Sequence, residues 1–259
     1  MISVEIADHV ATVLIDRPPV NAIDLAGFGE LREAFDGLSA DRDVRAAVLT
    51  AAGDRAFIAG IDLRDAGRLD EHDESTPAAL VVDPGRRVRD ALDALRLCAV
   101  PVVGAINGPA LGAGLAVAAC CDILVAAEGA TFGMPEINVG LLGGSAHLST
   151  LVGRHKAREL FFTGETITAA ELHRIGSVRA VVARDALLEE ATALAASLAA
   201  KSPIALRLAK EAMDRVEGLP LPDAYRIEQE YTRRLQRFDD AAEARAAYLD
   251  KRPPDWKWR

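Results

Sequence analysis

The apolar positions of the chain change period several times, and each change marks an element. Residues 4–15 (VEIADHVATVLI) alternate apolar and polar about Asp8-His9, which predicts a β-hairpin turning at those two residues. Three further apolar, β-branched runs, 44–50, 100–106 and 123–127, predict buried strands. Between them the period lengthens. Phe28, Leu31, Phe35 and Leu38 recur at helical spacing behind Asp24, a candidate N-cap, and predict a helix over 25–38. Residues 86–97 predict a second amphipathic helix. Similar strands separated by helices imply parallel pairing through crossover connections. Residues 17–22 (RPPVNA) predict an irregular loop, because their two prolines supply no ladder donors. Residues 65–85 are acidic and poor in large apolar side chains, and predict a loop with broken helix.

After Gly144 the period is helical almost to the end. Short helices are predicted over 146–151, 156–162 and 169–175, stopping at Gly153, Gly164 and Gly176, with Thr168 capping the third. One last strand is predicted over 178–182. Helices over 186–200, 203–216, 222–238 and 241–252 follow, and Pro203 suits a first helical position. Tyr225, Ile227, Tyr231, Leu235 and Phe238 form a stripe expected to seek a partner, which points to an oligomer. No low-complexity linker interrupts the chain, so any second domain is expected to pack tightly on the first.

Composition narrows the possibilities. Half of the 259 residues are hydrophobic, enough for a substantial core. A net charge of −9 and a pI near 5.1 argue against nucleic acid or an anionic membrane as the main partner. The three cysteines, Cys98, Cys120 and Cys121, make a poor disulfide framework and point to a reducing, cytoplasmic setting. The first residues lack the features of a signal peptide, and every long apolar stretch is broken before membrane-spanning length. The five histidines lack metal-ligand spacing, so no metal is expected.

Two glycine turns carry the candidate chemistry. Gly112-Ala113-Gly114 follows the strand 100–106 and the turn Asn107-Gly108-Pro109-Ala110, and opens a small apolar helix predicted over 115–121. Ala59-Gly60-Ile61-Asp62-Leu63 is a second turn of this kind, with Asp62 a candidate cap. Helix N-termini present unpaired N–H groups and partial positive charge. Two that converge make an oxyanion hole; the same turns also serve as plain packing corners. Glu136 follows Pro135 in apolar surroundings, where a raised pKa and proton transfer are expected. The alternative is a loop glutamate that caps a helix or faces water. Gly108, Gly112 and Gly114 fit a dinucleotide-binding GxxxGxG, but the turn lies mid-chain and no Tyr-x-x-x-Lys accompanies it. No G-x-S-x-G occurs. Ser145 and His147, two apart at a helix start, point away from each other and predict no dyad, though His147 is within expected reach of the pocket mouth. Cys120 and Cys121 are expected to be packing residues.

Together these segments resemble the crotonase (enoyl-CoA hydratase/isomerase) family over nearly the whole chain. The resemblance is carried by residues 17–22, 56–63 (AFIAGIDL), 101–121, Cys121-Asp122-Ile123, 132–136 (FGMPE), 162–165 (FTGE) and 249–254 (LDKRPP). It implies an α/β fold of the ClpP/crotonase type: a spiral of ββα units over 1–200 with the CoA-thioester site, and a helical trimerisation region over 201–259. It implies an acyl-CoA substrate in a homotrimer or dimer of trimers, with coenzyme A as part of the substrate, no separate cofactor, and a place in fatty acid metabolism. The oxyanion hole would be the backbone N–H groups of Ile61 and Ala113; the family usually has glycine at the second position. Val20, Ala22, Ala59, Gly60, Asp62, Leu63 and Gly112 would line the CoA ester. Lys251, Arg252 and Lys257 are the sequence's candidates for its phosphates, reached across a subunit boundary; the alternative is a solvated basic tail.

The resemblance also carries a departure. Glu136 stands where the family's hydratases keep one of two catalytic glutamates, and the other falls at Ala116. Those isomerases of the family that retain a single glutamate keep it at the Glu136 position. Double-bond isomerisation is therefore favoured over hydration. The alternatives are an impaired or water-assisted hydratase, another decarboxylase or hydrolase of the family, and a non-catalytic acyl-CoA binder. The loop after Glu136 is shorter than the usual hydratase version and supplies no replacement carboxylate.

Overall fold

The computed structural model describes residues 1–62 and 76–259. Strands β1 (Ile2–Ala7) and β2 (Val10–Ile15) pair antiparallel, and Asp8 and His9 turn between them at φ 47° and 68°. β3 (Ala46–Ala51), β4 (Val102–Ile106), β6 (Ile123–Ala127) and β9 (Ala180–Val182) join β2 in parallel, in the order β1-β2-β3-β4-β6-β9. The expected parallel crossover architecture is present. β3 shows why such strands read as continuous apolar runs: all six of its residues are buried. Ala47 and Leu49 face the main core, while Ala46 and Val48 face a second layer built on α8 (Leu187–Ala199). Ala191, Ala195 and Ala199, four apart, give α8 a flat face for that contact.

A smaller sheet carries the site. β5 (Ala110–Leu111), β7 (Thr131–Gly133) and β8 (Thr166–Thr168) form it. Two bridges, Ile58 to Ala110 and Ile23 to Ile61, extend its edge toward the loop 17–24. Helix α1 (Leu25–Ala40) starts where Asp24 accepts from the Gly27 N–H at 2.7 Å, as its sequence predicts. α2 (Ala78–Val82) and α3 (Arg86–Arg96) precede β4, and α3 packs on α1. The short α4 (Ala113–Ala119) leads from the small sheet back to β6. α5 (Ser145–Val152), α6 (Arg154–Thr163) and α7 (Ala169–Arg174) follow in the predicted places. The predicted loop over 65–85 falls partly outside the described residues.

α9 (Pro203–Val216), α10 (Leu221–Leu235) and α11 (Asp239–Leu249) complete the chain. The stripe on α10 finds its partner within the chain. Tyr231 is buried with Ile204, Leu208 and Ala212, and Ile227, Leu235, Phe238 and Trp258 pack around them. Only Tyr225 of the stripe is left exposed, so the stripe is not in itself a reason to expect an oligomer. A partly buried ion pair ties α9 to the segment before β6. Lys210 on α9 meets Asp122 at 2.6 Å and the Val100 carbonyl at 3.2 Å, and Asp122 also accepts from the Val102 N–H at 2.7 Å. No helix among the described residues is long and apolar enough to cross a membrane.

Candidate active site

Two peptide units lie close together at the start of α4. The first joins Gly60 to Ile61. Its carbonyl accepts from the Ile23 N–H at 2.9 Å. A trans peptide carries its C=O and N–H on opposite sides, so the Ile61 N–H points away from Ile23. Leu111 and Gly112 lie beside Gly60. A Cβ built on Gly60 would stand 3.6 Å from the Leu111 carbonyl oxygen, and one on Gly112 would stand 3.6 Å from Gly60 Cα. The second unit joins Gly112 to Ala113. Its carbonyl accepts from the Ala116 N–H at 3.1 Å, along the axis of α4, so the Ala113 N–H emerges from the helix N-terminus. Gly112 is pinned by its own N–H to the Gly133 carbonyl at 2.9 Å and adopts φ +55°.

Glu136 stands over this turn. It lies in a 3₁₀ turn, Pro135–Val139, and its carbonyl accepts from the Leu141 N–H at 3.0 Å. A Cβ on Gly112 would collide with its carboxylate. Only glycine satisfies both the left-handed φ and this approach. The Glu136 Oε2 is buried and has no hydrogen-bond partner among the described residues. Burial raises the Glu136 pKa, and a bond from its own backbone N–H offsets part of that rise. Ala116 is buried among apolar neighbours one turn into α4. The arrangement offers two outward N–H donors and one carboxylate inclined to hold a proton.

The loop 17–24 braces the Ile61 side. Ala59 donates to the Val20 carbonyl at 3.1 Å, and Asp62 donates through its N–H to the Ile23 carbonyl at 2.8 Å. Asn21 is buried at φ +54° and donates to the carbonyls of Ala52 and Ala56 at 2.9 and 3.1 Å. Val20, Ala22, Ala59, Gly60, Ile61 and Asp62 are therefore assembled together, with Gly112 and Glu136 against them. Leu63 lies outside the described residues. So does any helix that Asp62 would cap; its carboxylate lies 3.2 Å from Arg17. Ile23, which orients the Ile61 peptide, has no signal in the sequence beyond being apolar, because its role is made by backbone pairing.

The remaining expectations divide, and the one for His147 parts company with the structure. His147 does not reach the pocket mouth. It lies at the far end of α4, in a cleft of about 340 Å³ with Arg96, Ala119, Cys120, Cys121 and Asp214. Ser145 lines a different cleft, with Arg154 and Phe161, so the two form no dyad. Lys251 sits at φ +53° in the exposed turn after α11, and no contact among the described residues joins it to Glu136 or Gly112. Arg252 is held by Glu243 at 2.6 and 2.9 Å, and Lys257 by Asp255 at 2.5 Å. Cys120 is buried and its thiol is pushed up to about 12, as expected of a packing residue.

Residues 5–259 match the profile of the family described as Enoyl-CoA hydratase/isomerase. Among curated proteins, the chain is 39% identical over 242 residues to a (7aS)-7a-methyl-1,5-dioxo-2,3,5,6,7,7a-hexahydro-1H-indene-carboxyl-CoA hydrolase of Mycobacterium tuberculosis, covering 93% of this chain and 95% of that protein. It is 37% identical over 260 residues to a probable enoyl-CoA hydratase of Rhizobium meliloti, covering 99% and 97%. Among solved structures, the crystal structure of an enoyl-CoA hydratase from Bacillus anthracis superposes with a TM-score of 0.89 at 32% identity, covering 100% of this chain and 99% of that one.

Proposed function

The chain belongs to the enoyl-CoA hydratase/isomerase family, and from that premise we propose that it is an acyl-CoA enzyme with one acid–base group, Glu136. The Ile61 and Ala113 N–H groups hold the thioester oxygen. The observation that carries this is the Glu136 carboxylate set over Gly112 with one oxygen buried and unpartnered among the described residues, beside two outward N–H groups. Removing a proton from C2 of the acyl chain moves negative charge onto the thioester oxygen, where both donors oppose it. Glu136 takes that proton and returns it at C4, so the double bond migrates with a single base. Concerted hydration uses two carboxylates around one water, and Ala116 supplies none. Isomerisation is accordingly favoured over hydration. Val20, Ala22, Ala59, Gly60, Asp62, Leu63 and Gly112 follow the CoA ester. Lys251 meets the CoA phosphates from a neighbouring subunit of a homotrimer or dimer of trimers. Coenzyme A enters as part of the substrate, and the scheme uses no separate cofactor and no metal.

A second reading is hydrolysis, favoured by the 39% identical relative whose name is that of a CoA-ester hydrolase. One carboxylate is enough to activate one water.

Both are tested by Glu136→Gln on a panel of enoyl- and oxoacyl-CoA esters, with products read by mass spectrometry. Turnover should fall by about 10²–10⁴, the usual contribution of an acid–base group, while ester binding persists. Unchanged mass with a moved double bond marks isomerisation. Added water on the ester marks hydration or ring hydrolysis, and free CoA marks thioester cleavage. Turnover that survives in the variant removes Glu136 from the chemistry. Tight binding without any turnover by the unaltered protein would return the chain to a plain acyl-CoA binder.

A further inference from the structure

We propose that Arg17 is a positioning residue for the Ile61 N–H donor, an inference that rests on the oxyanion-hole assignment above. One guanidinium ties three groups of the supporting loop. It donates to the Ala22 carbonyl, to Asp62 Oδ2 at 3.2 Å and to Asp24 Oδ2 at 2.7 Å. Each partner fixes a different neighbour of the donor. Asp24 is also the N-cap of α1, so Arg17 is anchored to a helix start through it. Ala22 directly precedes Ile23, whose N–H holds the Gly60 carbonyl. Asp62 directly follows Ile61, is buried, and donates its own N–H to Ile23. The Ile61 peptide is thus gripped on both flanks, and both grips pass through the segment that Arg17 closes. A planar fork suits this arrangement because its donors are spread over separate nitrogens in fixed directions, whereas a lysine ammonium gathers all of its donors on one atom at the end of a flexible stem.

An oxyanion donor works only where the charge develops, and a small displacement is enough to lose about 100-fold in rate. Arg17→Met and Arg17→Lys in the full chain therefore make the test. The first readout is the carbonyl stretch of a saturated hexanoyl-CoA, isotope-labelled at its carbonyl carbon and bound to the protein. Binding to the unaltered protein should move the band to lower frequency. Both variants should lose part of that displacement, with kcat falling by about 10–100-fold and KM moving less. Lysine should restore only part of both. A folded variant with the unaltered band and kcat, whatever its thermal midpoint, overturns the inference. If Arg17→Met does not fold, the band in Arg17→Lys decides. If the unaltered protein itself shows no displacement on binding, the oxyanion-hole assignment falls and Arg17's role falls with it.

Discussion

The two ends of α4 hold titratable side chains in different condition. At the amino end, Glu136 has a buried oxygen without a partner among the described residues, a glycine beneath its carboxylate, and a pKa raised by burial. At the carboxyl end, Asp122 and Lys210 are paired at 2.6 Å and further held by Val102 and Val100. A charge placed with a full set of partners fixes neighbouring elements to each other. A carboxylate kept short of partners retains capacity to exchange a proton. The same seven-residue helix therefore separates a joint from a candidate site.

The largest effect that sharpens this contrast belongs to the paired end. Asp122→Ala leaves the Lys210 ammonium buried beside one carbonyl. Asp122 is itself partly exposed, so the cost is that of leaving one buried charged donor short of a partner, about 1–3 kcal/mol. Urea unfolding should show a loss of that order, while kcat per folded molecule stays near that of the unaltered protein. A large fall in kcat with full stability would mean that the two ends are one site.

The next effect belongs to the amino end. Gly112→Ala places a side chain in the left-handed region, at a strain of about 1–2 kcal/mol, and drives its methyl into the Glu136 carboxylate. Displacing that carboxylate should lower turnover by about 100-fold. Here kcat should fall much further than stability, the reverse of Asp122→Ala. Steady-state kinetics beside a thermal melt distinguishes the two patterns.

A weaker effect comes from pH. Glu136 accepts a proton only as the carboxylate, and burial raises its pKa. Activity should fall on acidification with a midpoint above the ordinary glutamate value of about 4.3. The stability sign is opposite. A carboxyl whose folded pKa lies above its unfolded one binds more protons when folded, so its contribution diminishes as pH rises through that window. Glu136→Gln should therefore gain slightly in thermal midpoint at neutral pH and not at pH 4. A kinetic midpoint at or below the ordinary glutamate value would break this assignment.

Local chemistry decided how far the sequence revealed all this. Pro203 at a first helical position and Ser202 as its cap, accepting from Ala205 at 3.2 Å, place α9 at Pro203–Val216 as predicted. The start of α4 was less legible. Glycine's poor helix propensity argues for a turn through Gly114, yet the helix begins at Ala113. The reason is tertiary: a Cβ on Gly114 would collide with the Ile58 carbonyl, so α4 lies against the Ile58 backbone closely enough to need glycine. Glu136 and the two glycine turns were visible because their local patterns are unusual. Arg17 with Asp62, 45 residues apart, and Lys210 with Asp122, 88 apart, were not, because nothing in either neighbourhood specifies its partner. His147 was misplaced for a related reason. Spacing tells which way a side chain leaves its helix, not which end of α4 that helix meets.

His147 accordingly gives the smallest expected effect and the most direct check on the division of α4. Its Nδ1 is buried without a partner among the described residues, which superficially matches Glu136. Its surroundings differ. Burial lowers its pKa, nearby Arg96 lowers it further, and Asp93 partly opposes them, so the ring is neutral at pH 7. A group whose folded pKa lies below its unfolded one binds fewer protons when folded. Its contribution is present above about pH 6.5 and is lost as pH falls from there toward the lower folded value. His147→Gln should cost no more than about 1 kcal/mol at pH 7 and flatten the loss of stability with acid, as read by urea unfolding across pH. Turnover should be nearly unchanged, because the cleft of Arg96, Cys121 and Asp214 lies beyond the helix from the Ile61 and Ala113 donors. A loss of turnover comparable to that of Glu136→Gln would place proton transfer at both ends of α4, and the shortage of partners at Glu136 would no longer distinguish the site from the joint.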